Sequence, residues 1–169
     1  MIKISIIIIF LFTYINCLHS QTIYKIEKNN LYGYEDNSNN KIVNCKYLFV
    51  FTDTINNIGF VVNKKKNIVC INNKGEELFL VYKYDNGPDY PQEGYFRIIS
   101  KKGLIGFADT LGNITIRPKY KFAYPFKKGK AKVTDKGQNK EVFGSNGENH
   151  FWESDDWFYI DKKGNKINH

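Results

Sequence analysis

One pattern recurs four times along this chain, and that recurrence constrains the fold more than any single motif does. Leu31-Tyr32-Gly33-Tyr34-Glu35-Asp36 aligns with Leu104-Ile105-Gly106-Phe107-Ala108-Asp109. Cys45-Lys46-Tyr47 and Pro118-Lys119-Tyr120 then follow their glycines in the same register. A further copy, Ile68-Val69-Cys70-Ile71-Asn72-Asn73-Lys74-Gly75, carries Val69 in place of the glycine, and Trp157 to Gly164 forms the last. The marker Asp or Asn falls at 36, 72, 109 and 161, in steps of 36, 37 and 52. Units of this size cannot bury a hydrophobic face alone, so neighbours must stack to make a core.

Each unit has a local reading. Asp109-Thr110-Leu111-Gly112 and Asp161-Lys162-Lys163-Gly164 have the chemistry of a tight turn. The carboxylate accepts from backbone N–H groups two residues on, and glycine takes the left-handed position. Asn72 to Gly75 does the same, and Asp36 to Asn39 places the next-best residue where φ is positive. A short apolar strand precedes each turn and another follows it, as in Ile114-Thr115-Ile116. A third strand lies upstream, seen in Tyr95-Phe96-Arg97-Ile98 and Lys130-Ala131-Lys132-Val133. Eight positions separate Ile98 from Gly106, and the same eight separate Val61 from Val69. The expectation is an all-β chain of tandem antiparallel three-stranded β-meander repeats stacked into an open array. The units run approximately over 23–56, 57–93, 94–128 and 129–169, the last with an insertion over about 135–156. Its end at His169 cuts the fourth unit short where its third strand should run, as a terminal cap would.

Aromatic-Gly-aromatic, Asp-x-x-Gly-Asn, an apolar triplet, Pro-Lys-Tyr, Phe126 and finally Gly129 to Val133 together resemble the WG repeat. Trp stands at the naming position only as Trp157, where Phe158 replaces the glycine; Tyr32, Ile68 and Ile105 hold it elsewhere. The resemblance spans about residues 23–169. It implies a bacterial β-repeat protein, often exported, and carries over no catalytic residues and no cofactor.

The first twenty residues read as an address. Lys3 supplies a positive start, and Ile4 to Phe12 is apolar except for Ser5. That run is too short to span a bilayer, which takes about 20 residues as a helix. It reads as a secretory signal peptide over 1–20, leaving 21–169 as the mature domain. Cleavage after Ser20 would free Gln21, whereas lipidation of Cys17 would tether the chain; simple export is the preferred reading, and a retained N-terminal anchor is a third. Tyr14-Ile15-Asn16-Cys17 is a poor lipobox. No other stretch approaches membrane-spanning length, so the expectation is a protein that is periplasmic, on the outer surface or secreted. Of the other cysteines, Cys45 and Cys70 could form a disulfide in an oxidising compartment or sit apart as small hydrophobes.

Function is less legible. The net charge is +8, from 25 basic against 17 acidic side chains. The basic residues are 23 Lys and 2 Arg beside 20 Asn and 21 Ile, the set that AT-rich codons supply. Lys64-Lys65-Lys66, Lys101-Lys102 and Lys127-Lys128 with Lys130 and Lys132 fall at turns, where solvation explains them better than ligand binding does. Recognition of nucleic acid favours Arg, so no nucleic-acid partner is expected. Inserted Phe151 and Trp152, beside Glu153, Asp155 and Asp156, are the candidate contact surface; the bland alternative is an extra hairpin over the terminal edge strand. His19, His150 and His169 have no metal-ligand spacing, and no nucleophile elbow or phosphate loop appears, so no catalytic, cofactor or metal site is expected. The chain reads as an exported, non-catalytic binding or interaction module, its partner an unknown protein or envelope component. The alternative is a structural spacer or lipoprotein ectodomain.

Overall fold

The computed structural model describes residues 21–145 and 150–167, and every regular element among them is a β-strand. The expected leader, with Cys17 and His19, lies outside the described residues, as does His169. The first meander comprises β1 (Ile23–Lys28), β2 (Leu31–Asp36) and β3 (Lys41–Tyr47), with the short strands β4 (Phe49–Val50) and β5 (Thr54–Ile55) leading out. The second comprises β6 (Ile58–Val62), β7 (Ile68–Asn72) and β8 (Glu77–Val81), then the small hairpin β9 (Lys83–Tyr84) and β10 (Gly87–Pro88). The third is β11 (Tyr95–Ile99), β12 (Ile105–Asp109) and β13 (Ile114–Tyr120), leaving through β14 (Phe122–Ala123). The fourth starts with β15 (Ala131–Thr134), is interrupted by β16 (Gln138–Glu141) and β17 (His150–Glu153), and finishes with β18 (Phe158–Ile160) and β19 (Lys166–Ile167). Among the described residues, the third strand of this unit is the two-residue β19.

The spacing rule holds as cross-strand pairing. Val61 lies opposite Val69, and Ile98 opposite Gly106. Val133 lies opposite Phe158 across the insertion. Only the first bend differs: Asn29 and Asn30, at φ 55° and 59°, close a two-residue hairpin. Asparagine tolerates the left-handed region that such a turn demands at both positions.

The marker turns share one geometry. Asp109 Oδ1 accepts the N–H groups of Leu111 (3.0 Å) and Asn113 (2.8 Å), and Asn113 Nδ2 donates to Oδ2. Asp36 and Asp161 do the same with Ser38 and Asn40, and with Lys163 and Asn165. Asn72 Oδ1 accepts from Lys74 and Glu76. The left-handed position is filled by Gly112, Gly164, Gly75 and Asn39. These bonds replace a ladder that the chain must leave in order to reverse.

Successive meanders are joined by strand exchange. The third strand of each unit, or the short strand that follows it, pairs with the first strand of the next. So β4 pairs with β6, β8 with β11, and β14 with β15. The second and third units thereby share a seven-stranded sheet, β13-β12-β11-β8-β7-β6-β4, and none of the sheets closes.

Burial follows the stacking. One cluster joins Tyr34 and Tyr47 of the first unit to Val61, Val69 and Ile71 of the second. A second joins Phe60, Ile68 and Cys70 to Phe96, Ile98 and Ala108. The last joins Ile105, Phe107, Ile116 and Tyr120 to Ala131, Val133 and Ile160. Alternate residues of β6, β7 and β12 thus face different clusters. That is why Ile68–Ile71 and Ile105–Ala108 are continuously buried runs, whereas β1 is buried at Ile23 and mostly exposed beyond it. An inner repeat needs two apolar faces, and an end repeat needs one. Cys70 is wholly buried in the second cluster, and burial pushes its thiol up to about 12. Cys45 and Cys70 are unpaired, so the small-hydrophobe reading describes Cys70.

Candidate functional site

The seam between the second and third meanders contains a charge in an apolar strand. Arg97 sits in Tyr95–Ile99 at the register that Phe60 holds in the second unit: Arg97 faces Phe107 as Phe60 faces Cys70. A guanidinium there needs a buried partner, because desolvating it alone is costly. The β9–β10 hairpin supplies one. Asp85 turns the chain with φ 52°, and Asp89 N–H donates to Tyr82 O, setting the carboxylate against β11. Asp89 Oδ2 accepts from the Arg97 backbone N–H (2.7 Å) and from Nε (3.0 Å), while Nη2 donates to Oδ1 at 2.5 Å. The remaining arm, Nη1, donates to Ala123 O of β14 at 3.0 Å. Arg97 and Asp89 are 2% and 3% exposed. Tyr82 and Tyr84 flank the guanidinium, with ring centres at 4.4 and 5.5 Å. Four segments of the chain (Tyr82–Tyr84, Asp89, β11 and β14) are therefore fixed on one side chain.

This ion pair floors a groove of about 1080 Å³ between the β9–β10 hairpin and the start of the fourth meander. Tyr84, Tyr90 and Tyr124 line it, and Tyr84 is 64% exposed. On the opposite wall are Lys127, Lys128, Lys130 and Lys132. The wall is built by two tight turns, Glu93-Gly94 and Lys128-Gly129, each pairing a positive-φ residue with a positive-φ glycine. Glu93 locks them together: Oε2 accepts from Gly129 N–H at 2.9 Å and lies 3.5 Å from Lys162 Nζ. The Gly129 bond, reinforced by the Lys128 N–H and then by that lysine, outweighs desolvation and holds the Glu93 carboxyl below the usual carboxylate range. Lys130 lies over the Tyr159 ring (4.5 Å) and Lys132 over the Trp157 ring (4.7 Å), so two ammoniums are held by aromatic faces rather than by carboxylates.

The insertion folds as the β16–β17 hairpin, which among the described residues pairs with no other strand and so does not run along β19. Its two aromatics diverge, as neighbours on a strand must. Trp152 stacks on Phe122 (5.4 Å, 18°) and donates Nε1–H to Lys136 O. Phe151 is half exposed. Trp152 thus joins a cluster with Phe122, Tyr124 and Trp157, and only Tyr124 of these reaches the groove. Lys64, Lys65 and Lys66 decorate a bend capped by Asn63, and all three are exposed. His150 is exposed on β17. Among the described residues, no group of three His, Cys, Asp or Glu could hold a metal.

Sequence reasoning missed both the ion pair and the groove. One signal was present: Arg97 is the lone charge in an otherwise apolar strand of a chain whose bases are nearly all lysine. Such a residue needs an acidic partner.

Residues 105–138 match the family described as WG containing repeat. The match runs from β12 through β15 to the start of β16. No curated protein and no solved structure matches the chain.

Proposed function

We propose that this WG-repeat-containing chain is an exported, non-catalytic binding module of the bacterial cell envelope or exterior, and that its ligand surface is the groove beside Arg97. The observation that carries the reading is the pairing of a fixed floor with an unfilled wall. Asp89, Arg97 and Glu93 have their polar atoms engaged, whereas Tyr84, Tyr90 and the four lysines face solvent or aromatic rings. Concave, preorganised surfaces with amphipathic aromatics are where ligands gain contact at low entropic cost. A merely structural spacer has no use for such a surface.

The test is retention of cell-envelope components by the exported protein and by a Tyr84→Ser/Tyr90→Ser variant. Both side chains are more than half exposed, so the variant keeps its melting temperature. Loss of retention supports the groove, and equal retention transfers the role to another surface or to the spacer reading. Mass spectrometry of the purified chain checks export separately. A start at Gln21, or an acylated Cys17, is the expected outcome, and an intact chain recovered from the cytosol overturns it.

A further inference from the structure

The groove's chemistry narrows its ligand. We infer that it takes an anionic oligosaccharide, one whose sugar rings carry carboxylates; this rests on the groove being the binding surface. The geometry beneath it combines three exposed tyrosines, an unneutralised row of lysines and a guanidinium that is already spoken for.

Charge comes first. Among the described residues, Lys127, Lys128, Lys130 and Lys132 have no carboxylate within ion-pair distance. Asp89 is committed to Arg97, and Glu93 to Gly129 and Lys162. Only Asp85, at the hairpin tip, adds an uncommitted negative charge to the lining. The groove is therefore net cationic, and its occupant is anionic.

Ring chemistry comes second. Tyrosine offers an apolar face and a hydroxyl, which match the two surfaces of a pyranose: its C–H face and its rim of hydroxyls. Tyr84, Tyr90 and Tyr124 all line the groove and are exposed, and among the described residues no two of them are in ring contact with each other. Asn86 and Gln92 add amide donors and acceptors beside them. An extended chain of rings fits this better than a single compact anion does.

The form of the cations comes third. Planar, bidentate recognition of phosphate favours arginine, yet Arg97 has its arms on Asp89 and Ala123 O, and Arg117 does not line the groove. Lysine point charges at intervals suit carboxylates carried singly on successive sugars.

The probes are a hexameric oligouronate, the same oligomer with its carboxyls reduced to alcohols, a single-stranded oligonucleotide and an oligoglutamate, each titrated calorimetrically into the exported full-length chain. The oligouronate is expected to bind, and carboxyl reduction to weaken it by about tenfold or more. Lys127→Gln/Lys128→Gln should weaken the charged ligand by roughly threefold to tenfold and leave the reduced one unchanged. Tyr84→Leu/Tyr124→Leu should weaken both sugars. Equal binding of the reduced oligomer removes the carboxylate requirement while leaving the groove reading in place. Equal binding of oligonucleotide or oligoglutamate, unaffected by the tyrosine changes, means charge alone is read and overturns the inference. Uronate binding that survives both double variants places the site elsewhere and overturns the groove reading too. If no probe binds, the sugar inference falls, and envelope retention by the Tyr84→Ser/Tyr90→Ser variant decides the groove separately.

Discussion

The first and third meanders differ from the second by one side chain opposite their third strands. Gly33 and Gly106 occupy the position that Val69 holds in between. A Cβ on Gly33 would lie 2.4 Å from Val43 O, and one on Gly106 would meet Ile116 O and Pro118 N at 2.4 and 2.6 Å. The partner strand is bulged into the vacant space. Between Tyr32 and Tyr34 the opposite strand spends four steps, Val43 to Tyr47; between Ile105 and Phe107 it spends Ile116 to Tyr120. The bulge delivers Tyr47 and Tyr120 into the core, each with a lysine over its ring at 5.0 or 5.1 Å. In the second unit Val69 and Cys70 pair one-to-one with Leu80 and Phe79. There β8 runs straight into pairing with β11, and the β9–β10 hairpin, Asp89 and the groove follow from that exit. A missing Cβ thus decides whether a repeat bends inward or hands its strand directly to the next.

Converting one type into the other gives the largest effect. Gly106→Val should cost about 4 kcal/mol or more, because the atoms met are backbone on both sides and cannot step aside. Equilibrium denaturation measures it, and a loss below about 1 kcal/mol would show that the bulge does not depend on glycine.

The two seams supply the next contrast. Phe60 N–H donates to Thr52 Oγ1 at 3.1 Å in the first seam, and Arg97 N–H to Asp89 Oδ2 at 2.7 Å in the second. One backbone slot is filled by a hydroxyl beneath a phenylalanine in one case, and by a carboxylate beneath a guanidinium in the other. Asp89→Ala leaves Arg97 buried without its counter-charge and should cost about 3 kcal/mol. Transplanting the first seam, as Asp89→Thr/Arg97→Phe, should recover most of that loss, since a well-packed apolar replacement of an ion pair is often near neutral. A double variant no more stable than Asp89→Ala breaks the equivalence of the seams. Thr52→Val sits lower, at about 1–2 kcal/mol, the cost of leaving the Phe60 N–H unpaired.

These contrasts also show what was legible. The turns and meanders were, because Asp109, Gly112 and Asn113 act on backbone within four residues of themselves. The substitution of Val69 for glycine was visible too, but its consequence was not: the bulge belongs to a strand eleven residues away, with no mark of its own. Asp89 was hidden for the same reason. Its partner is eight residues on, across a hairpin that reads as an ordinary Asn-Gly-Pro turn. Phe151 and Trp152 read in sequence as one surface, whereas neighbours on a strand diverge: Trp152 stacks on Phe122 and Phe151 is half exposed. The WG resemblance is matched over residues 105–138, but the seams between units hold the chemistry peculiar to this chain.

The smallest effect separates the second turn from the other three by pH. Side-chain donation from Asn40 and Asn165, reinforced by backbone N–H groups, lowers the carboxyl pKa values of Asp36 and Asp161. At Asp109 partial burial pulls the other way, but bonds from Asn113 and Leu111 outweigh it and the value is again lowered. Groups with folded pKa values below the unfolded 3.8 stabilise the fold above that pH, and this stability disappears as the pH falls through the folded values. Asn72 fills the same slot in the second turn with no proton to gain. The melting temperature should therefore hold from neutrality to about pH 4 and fall below it. Asp109→Asn, which copies the second turn, should leave the value at pH 7 nearly unchanged and shallow the acid slope. Since Asp36, Asp161 and Glu93 share that slope with Asp109, one replacement removes only a part of it; an acid slope identical to the parent's would mean that the Asp109 turn carries no pH-dependent stability.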